Sequence, residues 1–366
     1  MVVVVSCSHY PDDERIYQKQ ICSLIKNGQR VLYITRSSSN LSLSTKKLTH
    51  INFGLKFPVK KFIVKASDEI LKREKVSHLQ IHETDLLPLL KIVKKILPNI
   101  FTIYDVHENM NALYRTFSQR NLIIKEIAII KRNLNEAKHL KFVDQIILAN
   151  PIIDDSGYLK FKIPIIVLEN FVEKKYIIKK KDMHKKPNLI YHGHLGPERG
   201  IENLVRAMSI VVETFYEAKL SLLGSFRTKS FEIKVKNLIK NLSLEKNIYI
   251  IEQVPYGLVW GILLKNTIGV IPFDKTPLTE SCVPTKLFEM MASLDHIVAS
   301  DLAPIRYFVD DSVFWFKPGD YNSLARAIKS SIVSLKDDRK KNKNLNLVST
   351  KYNWDIIENN YLNLFR

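Results

Sequence analysis

Short apolar runs recur along this chain, and helix-length segments follow most of them; "VVVVS" at residues 2–6 is the first. A strand that alternates apolar and polar residues buries one face. An uninterrupted apolar run belongs to a strand covered on both faces, the condition of a parallel sheet between layers of helix. After "VVVVS" a helix is expected from Asp12 to Asn27, stopped at Gly28. "RVLYIT" follows, then "HLQIH" ahead of a helix near 86–96 and "FTIYDV" ahead of a longer helical region near 116–142. "QIILAN" and "IPIIVLEN" complete the series. This alternation predicts βαβ units.

A Lys-rich segment, 173–187, breaks the pattern and reads as a basic linker. A second series then starts at "NLIYHG". It runs through a helix at 200–213, "KLSLLG", a helix near 228–240, "NIYII", "IGVIPF", a helix from Pro284, "HIVAS" and "SVFWF". The expected plan is therefore α/β throughout: a first domain over 1–172 and a second over 188–352, each a doubly wound parallel sheet. A length of 366 residues suits two domains, and 46% hydrophobic content supplies their cores.

The formal net charge of +19 favours polyanionic partners. No helix-turn-helix, zinc-finger or RNA-binding signature accompanies it, so nucleic acid is not expected among them. Three cysteines without regular spacing fit a reducing cytosol. "MVVVVSC" lacks the basic start of a signal peptide, and no apolar run is long enough to span a membrane, so a cytoplasmic protein is expected. "KFPVKKFIVK" at 56–65 and "NLIIKEIAIIKRNLNEAKHLK" at 121–141 mix apolar and cationic residues. As helices they could lie on an anionic membrane surface, or turn an apolar side to the core and a basic side to water.

In doubly wound sheets ligands gather beyond the carboxyl ends of the strands, and a cleft is expected between two such domains. In the first domain those ends carry His9, then His82 and Asp85, then His107 and Glu108. Histidine suits hydrogen bonding to sugar hydroxyls near neutral pH, although a single one is commonly a structural residue. In the second domain the first strand ends in "HGHLGPERGIENL", where three of the chain's 11 glycines fall, Gly193, Gly196 and Gly200. Arg199 stands just before a helix N-terminus, which attracts phosphate. The pattern is neither a dinucleotide fingerprint nor a Walker loop.

"ESCVPTKLFEMM" at 280–291 poses a sharper question. Leu287, Met290 and Met291 share a face that can point inward, while Lys286 and Glu289 sit beside the helix start. A cation there suits phosphate, and a carboxylate one turn in suits a pair of ribose hydroxyls. The plainer alternative is a surface ion pair. No Asp-x-Asp occurs, so no essential metal and no cofactor are expected.

These stretches resemble glycosyltransferase family 4, the retaining enzymes of the GT-B fold among the glycosyl transferases group 1. "HYPDDERIYQKQICSLIKNGQRV" is similar to the family's opening, and "HETDLLPLL" followed by "YDVHENM" resembles the branch with a histidine and a glutamate. "YHGHLGPERGIENLVRAM" resembles its phosphate loop, and "VPTKLFEMMAS" followed by "HIVASDLAPIRYFV" its nucleotide-sugar motif. The resemblance implies two Rossmann-like domains facing each other across a cleft, with the final helix, 353–366, packing back on the first. It implies His107 near the donor sugar, Arg199 on the pyrophosphate and Glu289 on the ribose. It implies Gln253 and Val254 near the base, and His194, Ser281, Pro284, Thr285 and Lys286 among the donor-binding positions. Three positions depart from the pattern: His194 stands where arginine is usual, Ser281 where a first glutamate is usual, and Ser293 where glycine is common.

The expected activity is transfer of a sugar from a nucleotide-sugar to an acceptor hydroxyl, with retention and without metal, in polysaccharide or glycolipid synthesis. The acceptor is a glycan or a lipid-linked molecule, and an anionic membrane surface on the inner face of the cytoplasmic membrane is a further partner. A sugar-nucleotide epimerase of the same fold and a non-catalytic basic binding protein are the alternatives.

Overall fold

A computed structural model describes residues 1–151, 157–177 and 186–366. It divides into two compact units, Met1–Asn170 with Ile357–Arg366, and Phe171–Ile356. Of the Lys-rich linker, residues 178–185 lie outside the described residues, and Lys174–Tyr176 form a short 3-10 turn.

The first unit holds β1 (Val2–Ser6), β2 (Val31–Arg36), β3 (Leu48–Phe53), β4 (His78–Ile81), β5 (Phe101–Val106), β6 (Gln145–Leu148) and β7 (Ile165–Val167). Their order in the sheet is β3-β2-β1-β4-β5-β6-β7, with every neighbouring pair parallel. Val2 to Val5 are fully buried, as a strand covered on both faces requires. The chain builds outward from β1 to β3 and then returns beside β1 with β4. Loops leaving β1 and β4 therefore diverge at this reversal, where doubly wound sheets hold ligands.

Three local features differ from the sequence expectation. The edge strand β3, "LTHINF", was not foreseen, because its polar positions hide it among loop residues. The region near 116–142 is two helices, Met110–Phe117 and Leu122–Leu140. Asn121 makes the break: its side chain accepts from the Ile124 amide and starts the second helix. The first helix winds as wide π turns over Glu14–Ile21 before becoming regular over Cys22–Lys26.

The two basic-apolar segments also part ways. Residues 59–71 form a helix whose Phe62, Ile63, Ala66 and Ile70 are buried in the first unit's core. Its apolar side is thus committed inward. Helix Leu122–Leu140 buries only Ile129 and Leu140, and leaves Ile123, Ile127, Ile130 and Leu134 exposed. No helix among the described residues is long and apolar enough to cross a membrane. From the terminal helix Trp354–Leu362, Glu358 meets Ser23 and the Tyr361 hydroxyl donates to Gln80 Oε1 (2.9 Å).

The second unit holds β8 (Asn188–His192), β9 (Lys219–Leu223), β10 (Ile248–Ile251), β11 (Ile268–Ile271), β12 (His296–Ser300) and β13 (Phe314–Phe316). Their order is β10-β9-β8-β11-β12-β13, again parallel, with the reversal between β8 and β11. The helix expected from Pro284 begins at Lys286, with the turn ahead of it closed by the Pro284 carbonyl accepting from Leu287 (2.9 Å). Leu287, Phe288, Met290 and Met291 are at most 1% exposed, so this helix is anchored by its whole apolar side. That rigidity is what lets its first turn hold polar groups in place.

Candidate functional site

The first unit brings three of its predicted histidines to one edge. His82 Nδ1 lies 3.0 Å from His107 Nε2, and the His9 and His107 rings are 4.8 Å apart. The loops that carry them are pinned by Glu83, which accepts from Ser6 Oγ (2.7 Å), the Ser8 amide (2.9 Å) and the Cys7 amide (3.1 Å). Asp85 and Glu108 stand exposed on neighbouring turns.

Beneath the histidines is a charge that sequence reading missed. Asp105, fully buried within β5, accepts from Arg15 Nη2 (2.8 Å), Arg15 Nε (3.0 Å) and Gln20 Nε2 (2.6 Å). Burial alone would raise its carboxyl. The Arg15 guanidinium outweighs it and holds Asp105 well below the usual carboxylate range. The signal was present: an aspartate inside the apolar run "FTIYDV" must find a cationic or hydrogen-bonding partner.

Two neighbouring histidines differ in charge. Burial lowers His9, but Asp13 at 3.2 Å, with Glu83 and Glu108, more than compensates and raises it to about 9. Burial dominates at His107 and pushes it down to about 4. At neutral pH His9 is a cation and His107 a neutral imidazole. Ligand atoms of His82, Asp105 and His107 come within 4.8 Å of one another. Asp105 already spends its oxygens on Arg15 and Gln20, so a guanidinium takes the place a metal would want.

In the second unit the loop after β8 and the helix Lys286–Ser293 meet. Gly193 adopts φ +106°, a conformation L side chains rarely take, and a Cβ there would come 3.1 Å from Lys286 Nζ. Lys286 is 8% exposed, with its ammonium over the rings of Tyr191 (4.7 Å) and Phe273 (4.9 Å). Burial and the Arg199 charge pull it down to about 7. The Arg199 guanidinium also stacks on Phe273, at 4.6 Å.

Glu198, another residue not singled out from sequence, organises the arginines. Its buried carboxylate accepts from Arg227 Nη2 (2.8 Å) and lies 3.3 Å from Arg199 Nε. It also fills the space a Cβ at Gly196 would need, so that glycine makes room for a carboxylate of its own loop. Gly200, with φ +66°, sits against the Pro272 carbonyl, where any side chain would collide. His194 keeps an exposed surface, but the protein around its ring partly desolvates it and, with the Arg227 and Arg199 charges, lowers its pKa.

Glu289 is 4% exposed, its Oε2 3.4 Å from His192 Nε2. Burial and the Lys286 charge push His192 down to about 3, so it is neutral. Pro284 is buried and Thr285 half-buried at the helix start. The Ser281 hydroxyl donates to the Pro277 carbonyl (2.9 Å), closing the short helix Pro277–Glu280. Ser293 donates back to the Glu289 carbonyl (2.6 Å). Gln253 is exposed and Val254 half-buried after the edge strand β10, apart from the β8–β11 reversal. The structure thus gathers Gly193, Arg199, Lys286 and Glu289 and adds Glu198, Arg227, Tyr191 and His192. A cationic cluster of this kind can take a phosphate, and a carboxylate beside it can accept from hydroxyl donors.

Residues 173–346 match the profile of the family described as glycosyl transferases group 1. No curated protein matches the chain. Among solved structures it is similar to HepE of Anabaena in complex with UDP-glucose, at 12% identity and TM-score 0.77, covering 100% of this chain and 98% of that one. It is also similar to sucrose-phosphate synthase from Thermosynechococcus elongatus, at 16% identity and TM-score 0.75, covering 100% and 98%. A third is an α,α-trehalose-phosphate synthase from Burkholderia xenovorans in complex with glucose-6-phosphate, at 10% identity and TM-score 0.73, covering 100% of both chains. At these identities the likeness establishes a GT-B fold.

Proposed function

We propose, from the match of residues 173–346 to the glycosyl transferases group 1 profile, that this chain moves a sugar from a nucleotide-sugar to an acceptor hydroxyl, with retention and without a metal. The observation that carries the reading is the Lys286 ammonium, buried beside Arg199 and Glu289 at the start of a helix. As the glycosidic bond breaks, negative charge gathers on the departing diphosphate. On this reading Arg199, Lys286 and the helix N-terminus stabilise that charge. Glu289 accepts from the ribose hydroxyls. On the first unit, neutral His107 binds a sugar hydroxyl and does not act as a base. The departing phosphate oxygen takes the acceptor's proton on the same face. HepE of Anabaena, a structural neighbour, has been solved with UDP-glucose.

Proton uptake tests the pocket. At pH 8 an ammonium with a pKa of about 7 is roughly nine-tenths neutral, and a bound diphosphate would recharge it. Calorimetry of a nucleoside diphosphate at pH 8, in buffers of different ionisation enthalpy, should show uptake approaching one proton per site. Lys286→Met should abolish it. Binding without uptake would remove Lys286 from the phosphate site. Turnover of the nucleotide-sugar only when an acceptor is present separates a transferase from an epimerase or a binding protein.

The acceptor's setting rests on helix Leu122–Leu140. Ile123, Ile127, Ile130 and Leu134 recur at spacings that share one face and are 73%, 59%, 57% and 59% exposed. Exposed Lys131 and Lys138 fall along one flank of that stripe at 100° per residue. An apolar ridge with a basic flank fits an anionic membrane surface, and with it a lipid-linked acceptor. The full chain should sediment with anionic vesicles at low salt and much less at high salt. Replacing Ile123, Ile127 and Ile130 by glutamate should abolish binding. No sedimentation of the unmodified protein at low salt would favour a freely diffusing acceptor.

A further inference from the structure

Asp105 anchors a chain of hydrogen bonds in the first unit whose direction can be read from one end to the other. Its carboxylate can only accept, so Gln20 must present its amide nitrogen to it (2.6 Å) and its carbonyl oxygen the other way. Gln20 Oε1 then accepts from Gln80 Nε2 at 2.8 Å. Gln80 Oε1 is held by the Tyr361 hydroxyl at 2.9 Å, which fixes that amide as well. The second N–H of Gln80 points at His82 Nε2, 3.2 Å away. Facing a donor, His82 Nε2 must be unprotonated, and the ring proton sits on Nδ1.

His82 Nδ1 is 3.0 Å from His107 Nε2. Two N–H groups cannot face each other at that distance, so His107 Nε2 accepts and its own proton is on Nδ1. The competing arrangement would aim both histidine protons at Asp105 Oδ2, which is 3.4 Å from His82 and 3.5 Å from His107. That oxygen already accepts from Arg15 Nε and Gln20 Nε2.

We infer that His82, Gln80 and Gln20 are positioning residues that lock His107 as the Nδ1–H tautomer, so that His107 offers its ligand a hydrogen-bond donor. This rests on the reading of His107 as the residue that meets a sugar. A ring held this way binds the oxygen of a hydroxyl through Nδ1–H. It has no free lone pair with which to take a proton, which distinguishes a binding histidine from a general base. It also gives Tyr361, close to the far end of the chain, a part in orienting the site.

Long-range proton–nitrogen correlation spectra of the histidine-labelled full chain at pH 7.5 test the tautomer without ligand, with His107→Gln assigning the signals. The expected result is His107 protonated at Nδ1 and bare at Nε2. His82→Gln restores an N–H donor and should keep both the tautomer and transfer within about threefold of the original. His82→Leu, of similar bulk but without a donor, should release the ring to a mixture of tautomers. Its kcat for transfer should fall roughly 10-fold, the worth of one lost hydrogen bond. An Nε2–H ring in the unmodified protein, or an unchanged tautomer in His82→Leu, would overturn the relay. If the tautomer is as stated but the chain transfers no sugar, the proposed function fails and the relay stands.

Discussion

Asp105→Ala is expected to lower the stability of the first unit by about 3–5 kcal/mol, the cost of leaving a buried charge without its partner. Arg15 has a side chain only 4% exposed, and Asp105 binds it through two nitrogens. What remains in the variant is the Leu168 carbonyl at 2.7 Å and Asn170 Oδ1 at 2.8 Å, which accept hydrogen bonds but carry no charge. Gln20 and the two histidines lose their anchor in the same change. Replacing both partners, as Arg15→Met with Asp105→Leu, should cost far less, because no buried charge survives. Urea unfolding followed by circular dichroism and by hydrogen exchange of the β5 amides measures both. A loss below about 1 kcal/mol in Asp105→Ala would mean that Arg15 finds solvent or another anion. The sign in acid follows from the depressed carboxyl. Its contribution is present above the unfolded value near 3.8 and fades as pH falls through the lower folded value.

Glu289→Gln is expected to weaken nucleoside-diphosphate binding by roughly 10- to 150-fold. The change keeps size and polarity but removes charge-assisted acceptors worth about 1.5–3 kcal/mol. Glu289 sits one turn into a helix whose apolar residues are fully buried, so it is held where it is rather than free to swing. The neutral His192 ring 3.4 Å away leaves its charge uncancelled. A 2′,3′-dideoxy nucleotide should bind the unmodified protein more weakly and lose little more in the variant. Calorimetry of both ligands on both proteins closes the cycle. If the two losses add, Glu289 does not touch the ribose.

Much of the fold was legible because each element announces itself locally. "VVVVS", "FTIYDV" and "IGVIPF" are apolar runs of strand length, and most helices between them have a periodic face and a cap. What escaped was locally ambiguous. β3 is an edge strand with polar positions, and the break at Asn121 rests on one side-chain cap within a continuous helical pattern. The candidate residues His9, His82, His107 and Arg199 were picked out by the rule that strand ends collect ligands. Their partners were not, because nothing in the spacing of residues says which charges will meet.

By itself the sequence determined the two parallel sheets, the strand ends that bear histidines, the glycine-rich turn after β8 and the helix start that carries Lys286 and Glu289. These are properties of short windows, where side-chain periodicity and backbone preference act over a few residues. Only the tertiary structure decided that Arg15 meets Asp105 across 90 positions, or that Lys286 lies over Tyr191 across 95. It alone decided that residues 59–71 turn their apolar side inward while helix Leu122–Leu140 leaves its own outside. The reason is that crossover connections bring distant strand ends together. Burial then sets both the charge of each group and its hydrogen-bond partner, and neither is written in the residue's own neighbourhood.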